Sequence, residues 1–392
     1  MRRETPCGSS TDCRNSPWIF PIFIPHGGCP HRCIFCNQHR ISGVQRMLPD
    51  PDTIVASIHS ALLRPIDPKR TREVAFFGGN FLGLPRRVIR SYLDVIAPFR
   101  ERGQIHRIRC STRPDTVCPE TLELAGGLGM TTVELGVQSM HDAVLEASLR
   151  GHGVRETQRA VACLREKGMA VGLQLMVGLP GDTVDKCLES AEKAVSLRPD
   201  FVRIYPTLVL EGTELAVRYR SGGYRPMSLA DAVSTVANMV DVFIRNGIPV
   251  IRVGLQSSKE LESKDGILAG PYHPAFGHLV ETRRYRDRVV SALDALEFRA
   301  SAIQIHVSPR DIPKMRGDRN ETLRFLSKRY WFASISVVGD AALGKDQFLI
   351  ESIERKSSRR LSGEWVRPIV SDGDDPAKGF PCSTGSSFTG SS

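Results

Sequence analysis

Residues 18–43 read WIFPIFIPHGGCPHRCIFCNQHRISG, an apolar, β-branched and aromatic run followed by a loop that carries Cys29, Cys33 and Cys36. The segment Ile19–Ile24 has the composition of a buried strand. Three thiolates spaced C-x3-C-x2-C can hold three irons of a cubane cluster, whereas a cluster that only transfers electrons takes four cysteines. One iron is then left open to a substrate or cofactor. A plainer chemistry also fits these residues. With His26, His31 or His39 the cysteines make a Cys3His set, which structural zinc accepts. A disulfide suits a secreted chain, whereas this one reads as cytosolic.

Beyond the loop the chain settles into a repeat of short apolar strand, polar or glycine-bearing loop and amphipathic helix. Strands are expected at EVAFF (73–77), 107–110, 132–137, 171–177, 201–205 and 250–254, and helices at 51–63, 86–99, 120–126, 142–149, 155–167, 184–197 and 229–246. In the first of these helices Ile54, Ile58 and Leu62 recur at helical spacing. Ser228 with Asp231 makes a capping box for the last, and Gly247 its stop. Six or seven such units predict an α/β fold, a full or partial parallel (β/α) TIM-like barrel with right-handed crossovers, followed by a small C-terminal α/β domain.

In such barrels chemistry gathers at the C-terminal ends of the strands. Every distinctive polar motif here falls there: the cysteine loop, GGN (78–80), STRPD (111–115), GVQS (136–139), GLPGDT (178–183) and YPT (205–207). Glycines at 78 and 79 let the backbone approach a ligand closely or simply turn tightly. Arg150 has the fork geometry for a carboxylate, or for a surface salt bridge.

Taken together, the cysteine spacing and these strand-end motifs resemble the radical S-adenosylmethionine superfamily. Within it, ELGVQS (134–139) with RGH (150–152) resembles the coproporphyrinogen dehydrogenase and Elongator branch. VRIYPTLVLEGTEL (202–215) and VIRVGLQSS (250–258) extend the likeness to the radical core of the Elongator catalytic subunit and its shorter bacterial relatives, over roughly residues 18–300. The resemblance implies a [4Fe-4S] cluster on Cys29, Cys33 and Cys36, with S-adenosylmethionine on the open iron and one-electron cleavage to a 5'-deoxyadenosyl radical. It implies an aromatic at Phe35 beside the cluster loop. It places the cofactor's amino group against the backbone of Gly78, Gly79 and Asn80, where Asn80 replaces the commoner acid. Ser111 stands where relatives often carry a ribose-binding glutamate. Gln138 and Gln174 would contact ribose, Arg150 the cofactor carboxylate, and Gly178 and Gly181 would shape the turn beneath adenine. Tyr205 at the barrel mouth, and Tyr272 and His273 in the loop 270–274, are the expected catalytic or substrate-side residues. Core packing or a rigid turn would equally account for all three.

The chain has 392 residues, 41% of them hydrophobic and 24% charged, which is ordinary for a globular protein. No stretch is long and apolar enough to span a bilayer, and residues 1–17 lack a signal-peptide core, so a cytoplasmic location without membrane contact is expected. The other seven of its ten cysteines have no second ligand spacing. Fifty-three basic against 43 acidic residues, net +10, permit a nucleic-acid partner.

The expected domains are a disordered leader (1–16), the radical barrel (17–300), a small α/β domain (301–370) and a disordered tail (371–392). In the third, KMRGDRNETLRFLSKRY reads as one basic amphipathic helix with Lys314, Arg316, Arg319, Lys328 and Arg329 on its charged face, in a layout resembling small RNA-binding modules. Some ninety residues after the barrel are too few for the acetyltransferase domain of Elongator catalytic subunits. The function expected is radical modification of tRNA or other RNA, with an electron donor such as flavodoxin or ferredoxin. Radical chemistry on a small metabolite or tetrapyrrole is the enzymatic alternative, and a non-catalytic, metal-containing RNA-binding protein the other.

Overall fold

The computed structural model describes residues 17–38, 41, 48–65, 67, 69–256, 261–262, 266–295, 300–353 and 360–363. The expected leader and tail, His39, and residues 364–370 of the expected third domain lie outside them. Strands β1 (Trp18–Phe23), β2 (Arg72–Phe77), β3 (Arg107–Thr112), β4 (Thr132–Gln138), β5 (Ala170–Val177) and β6 (Phe201–Pro206) lie side by side in chain order, all parallel. Past the short β7 (Val209–Leu210), strand β8 (Val250–Val253) completes the sheet beside β6, also parallel. The first and last strands do not pair, so the architecture is the partial barrel of seven strands, with helices in each crossover.

The strands' two faces explain the layering. Val74, Phe76, Ile108, Cys110, Val133, Leu135, Leu173, Val202 and Ile204 join one buried apolar cluster with helix residues such as Ile89, Leu93, Leu164 and Phe243. The alternate residues point into the barrel and are polar where a sheet covered on both faces would be apolar. Toward the N-terminal strand ends, Arg109 holds Glu73 and Glu134, each at 2.7 Å, and Arg203 reaches Glu134 at 3.1 Å. Phe201 lies under the Arg109 guanidinium, 4.9 Å from ring centroid to Cζ. This ladder closes the floor and leaves the other end for chemistry.

The helix expected over 86–99 is two, Arg86–Asp94 and Ala97–Glu101. Pro98 lacks an N–H and its ring crowds the carbonyl four residues back, at Asp94. The expected cap on the helix Leu229–Arg245 forms as half of a box: Ser228 Oγ accepts from Asp231 N at 3.1 Å, while the Asp231 carboxylate accepts from the Ser228 hydroxyl at 2.6 Å rather than from its backbone N–H, and Gly247 follows the helix end with φ 71°.

After the barrel, β9 (Ile267–Ala269) pairs antiparallel with β7. The helix Phe276–Ala295 spans two cores: Phe276 and Val280 join the barrel's, Tyr285, Val289 and Leu293 the next. That second core covers a four-stranded sheet of β10 (Ala302–Val307), β11 (Ser334–Gly339), β12 (Phe348–Ser352) and β13 (Arg360–Gly363), ordered β11-β10-β12-β13. The single basic helix expected here is broken. Gly317, Arg319 and Asn320 all take positive φ and separate Ile312–Arg316 from Glu321–Tyr330. Lys314 is not on a basic face either; its Nζ is buried 2.8 Å from Asp311. No helix among the described residues is long and apolar enough to cross a membrane.

Candidate functional site

The cysteine loop leaves β1 at the C-terminal edge of the sheet. Ile24 N donates to Phe77 O at 2.9 Å, extending the β1–β2 pairing, and the chain then turns through Gly27 and Gly28. Cys29 N donates to His26 O at 3.3 Å and Cys36 N to Cys33 O at 3.0 Å. Between them Ile34 is fully buried against Val209, Leu215, Ala216 and Tyr224, with Phe35 packed on the same cluster. Ile34 also ties its backbone to Ser148 O and Leu215 N. Residue 34 thus acts as a peg that presents three half-buried thiols, none in a disulfide. Burial, then the neighbouring Cys33 charge, pushes Cys29 up to about 11 and Cys36 up to about 12.

The GGN turn is locked to this loop. At Gly79 a Cβ would stand 2.3 Å from Ile24 O and 2.5 Å from Gly27 O, so only glycine fits. Gly78, φ 97°, has no atom within 3.7 Å of its would-be Cβ, the nearest being Gln38 Oε1 at 3.8 Å. Asn80 is fully buried, and its side chain is wholly engaged by protein. Its Nδ2 donates to Gly28 O at 2.7 Å; its Oδ1 accepts from Thr112 Oγ1 at 2.6 Å, Thr116 Oγ1 at 2.7 Å and Arg113 N at 2.9 Å. The departure from an acid therefore has a physical reason: the position needs one donor as well as three acceptor contacts. What Asn80 leaves open to a ligand is therefore its backbone and the shape it gives the loop, not its side chain.

Arg150 is buried with Nη1 2.9 Å from Cys33 Sγ, and its Nη2 meets Gly136 O and His152 Nε2. Burial and the Arg150 charge lower His152 to about 4, so it is neutral. Arg113, which the sequence motif contained but did not single out, is a second cation here. It reaches Cys33 Sγ at 3.7 Å, donates to Arg150 O, and is clamped by Asp115 at 2.9 and 3.0 Å. Gln138 sits at a bulge in β4 with φ 71°, a region costly for a residue with a Cβ, and its Oε1 is buried without a partner. Ser111 and Gln174 lie on the inward face, in register with Glu134 and with Gly136 and Arg203 respectively. Gly78, Gly79, Asn80, Gln138 and Arg150 stand at the barrel end that bears the cysteines; Ser111 and Gln174 face inward at the level of the floor ladder, and Phe35 packs behind the cysteine loop.

The catalytic candidates fare differently. Tyr205 is on the inward face, but its hydroxyl accepts from Arg203 at 3.4 Å, which ties it to the floor ladder. Tyr272 donates to Glu262 at 2.6 Å, with burial and that carboxylate raising it to about 12. His273 Nδ1 accepts from Ala275 N at 3.1 Å, shaping the turn before the helix. Both belong to the loop beside β7 and β9, and neither touches a cysteine among the described residues. The floor ladder escaped the sequence reading, although its signal was present: charges set among the apolar residues of the strands EVAFF, RIRC, TVELGV and FVRIY, one each except for the two of RIRC.

The donors fit a cluster with an attached cofactor. Three uncrosslinked thiols, two guanidiniums against one sulfur, and unpartnered buried atoms at Gln138 Oε1 and Arg150 Nε leave unmet both negative charge and hydrogen bonds. Among the described residues no three His, Cys, Asp or Glu converge as one metal ion requires. A cubane bonds each thiolate to a different iron and needs no such convergence.

Comparison with known proteins bears on the same residues. The profile of the Radical SAM superfamily matches residues 23–194, and that of the Radical_SAM C-terminal domain residues 199–286. A tRNA uridine(34) acetyltransferase of Methanocaldococcus infernus is 36% identical over 129 residues, 32% of this chain and 24% of that protein. One from Dehalococcoides mccartyi is 32% identical over 254 residues, 55% of each chain. The solved structure of Methanocaldococcus infernus Elp3, with an N-terminal deletion, shares the fold at a TM-score of 0.52 and 21% identity, covering 73% of this chain and 65% of that one. The chain thus spans from about a quarter to about half the length of these two curated relatives. A [4Fe-4S] cluster and S-adenosylmethionine are the cofactors that go with the match. The two profiles cover the barrel from its cysteine loop to the helix that closes it, and the chain belongs to the radical S-adenosylmethionine superfamily as an enzyme with an Elongator-like radical core.

Proposed function

We propose that the protein initiates a radical modification of RNA, with tRNA as the substrate class and a small one-electron carrier such as flavodoxin or ferredoxin as reductant. The observation that carries this reading is the convergence of Arg113 and Arg150 on Cys33 at the mouth of a barrel whose relatives are named for tRNA uridine chemistry. Bound together, the cluster and S-adenosylmethionine supply a reductively generated 5'-deoxyadenosyl radical.

The chain's own part is holding and shielding. Cys29, Cys33 and Cys36 are the iron ligands, and Ile34 sets their spacing from behind. Arg150 offers a fixed guanidinium to a carboxylate or a thiolate, with neutral His152 behind it adding no competing charge. Gly78 and Gly79 keep one wall free of side chains, and Gln138 brings an unmatched acceptor to the rim. The floor ladder closes the far end to bulk water. The test is anaerobic reconstitution, reduction with dithionite, and quantitation of 5'-deoxyadenosine with and without bulk tRNA. Stimulation by tRNA is expected. Formation indifferent to tRNA would redirect the reading to a metabolite or tetrapyrrole, and no formation from a correctly loaded protein would leave the non-catalytic alternative.

A further inference from the structure

We infer that the small domain after the barrel carries a binding groove for single-stranded RNA, between the helix Glu321–Tyr330 and the free edge of β11. The groove is open, about 490 Å³ in volume, and lined by Asn320, Arg324, Ser327, Lys328, Ser334 and Ile335 among others. Its walls differ in kind. The helix contributes two exposed cations, and β11, an edge strand paired only with β10, contributes backbone and hydroxyl groups.

Among the described residues neither Arg324 nor Lys328 is ion-paired; Arg324 donates only to Arg319 O. The neighbouring Arg329, by contrast, is held by Asp294 at 3.0 Å and is unavailable. Asp318 and Glu321 lie near the helix start, but Asp318 faces Arg319 at 3.9 Å. The groove's cations are thus free for an outside anion.

The turn joining the two walls holds Trp331. Its side chain is 88% exposed, the most exposed large apolar group among the described residues. It also stops the helix in the left-handed region, φ 57° and ψ 31°, where glycine is the unstrained choice. A bare indole kept at a strained position in the turn between a wall of unpaired cations and a free strand edge is a combination that can bind an unpaired base by stacking while cations meet its phosphates. A basic face alone would suit duplex or any acidic surface; the indole favours a single strand.

The inference deepens the RNA reading above, and its test fails separately from it. Full-length protein is titrated into a fluorescently labelled, unstructured oligouridylate at several salt concentrations. Trp331→Gly is expected to weaken binding about tenfold while keeping or raising the melting temperature, since glycine relieves the left-handed strain. A residue important only for folding would lower the melting temperature instead. Arg324→Gln with Lys328→Gln should flatten the slope of log affinity against log salt by about 1.4, two phosphates' worth for a single strand. Wild-type affinity and slope in either variant overturns the groove, as does equal competition by an RNA duplex. If the variants lose binding while tRNA leaves 5'-deoxyadenosine formation unchanged, the groove stands and the radical step on RNA falls. If they bind normally and tRNA still stimulates, the reverse holds.

Discussion

Removing the Asn80 side chain should loosen the cysteine loop from the sheet, and the cost can be worked out contact by contact. In Asn80→Ala, Gly28 O loses its 2.7 Å donor in a part-buried setting and Arg113 N its 2.9 Å acceptor in a buried one. The two threonines are spared, because Thr116 Oγ1 still donates to Arg113 O at 3.0 Å and Thr112 Oγ1 can turn its proton to Thr116 Oγ1 at 3.2 Å. Two orphaned backbone groups make the loss about 2–4 kcal/mol.

Asn80→Asp separates shape from charge. It keeps the acceptor contacts but sets an oxygen against Gly28 O. Burial and that carbonyl disfavour the charged form, while the three retained donors favour it; the first two are expected to outweigh the donors, so that the new carboxyl titrates above its unfolded value of about 3.9. Protonated, it can donate to Gly28 O. Its deficit is therefore smallest at low pH and grows as pH rises toward the folded-state pKa. Anaerobic urea denaturation of the metal-free protein at about pH 5.5 and about pH 8 reads both effects. A deficit below about 0.5 kcal/mol for Asn80→Ala, or a pH-independent one for Asn80→Asp, would refute the pinning argument.

Four further outcomes follow from the same contacts. Cys33→Ala should leave the far-ultraviolet spectrum intact and abolish both the iron chromophore and 5'-deoxyadenosine formation; normal cleavage would remove the ligand assignment. Gly79→Ala, forced within 2.5 Å of two carbonyls, should lower iron loading even though no ligand is changed, measured as iron per chain after reconstitution. Arg150→Lys loses the fork that meets Cys33 Sγ and Gly136 O together; 5'-deoxyadenosine formation should fall by roughly tenfold or more, as for a charge-assisted hydrogen bond worth about 1.5–3 kcal/mol, and an unchanged rate would argue against its role. In the small domain, burial opposes the Asp311 charge, but hydrogen bonds from Lys314, Tyr285 and Asp346 N outweigh it and hold the carboxyl below the ordinary range. That stability is present above the unfolded pKa of about 3.9 and is lost as pH falls through the folded value. Lys314→Met should cost about 3–5 kcal/mol in thermal or urea melts, because it strands a buried charge.

Much of this protein is set locally in its chain. Apolar runs of five to seven residues alternating with amphipathic segments dictate parallel strands and crossover helices, since no other layering buries both patterns. The three-cysteine spacing is likewise local, because one short loop must present all the ligands. What only the tertiary structure decided are the meetings between distant segments. Asn80 became a pin because a carbonyl from residue 28 and groups from 112–116 arrive at the same point. Arg113 became a partner of Cys33 because β3 ends beside the loop that leaves β1, eighty residues earlier. Lys314 looked like part of a charged face until Gly317 broke the helix and turned it onto Asp311. Tyr205 pointed into the barrel as its strand position required, yet the Arg203 ladder beneath it, spread over four strands, determines what its hydroxyl meets. Periodicity specifies which face a side chain occupies; only the packed fold specifies who stands opposite, and that is where charge, strain and chemistry are settled.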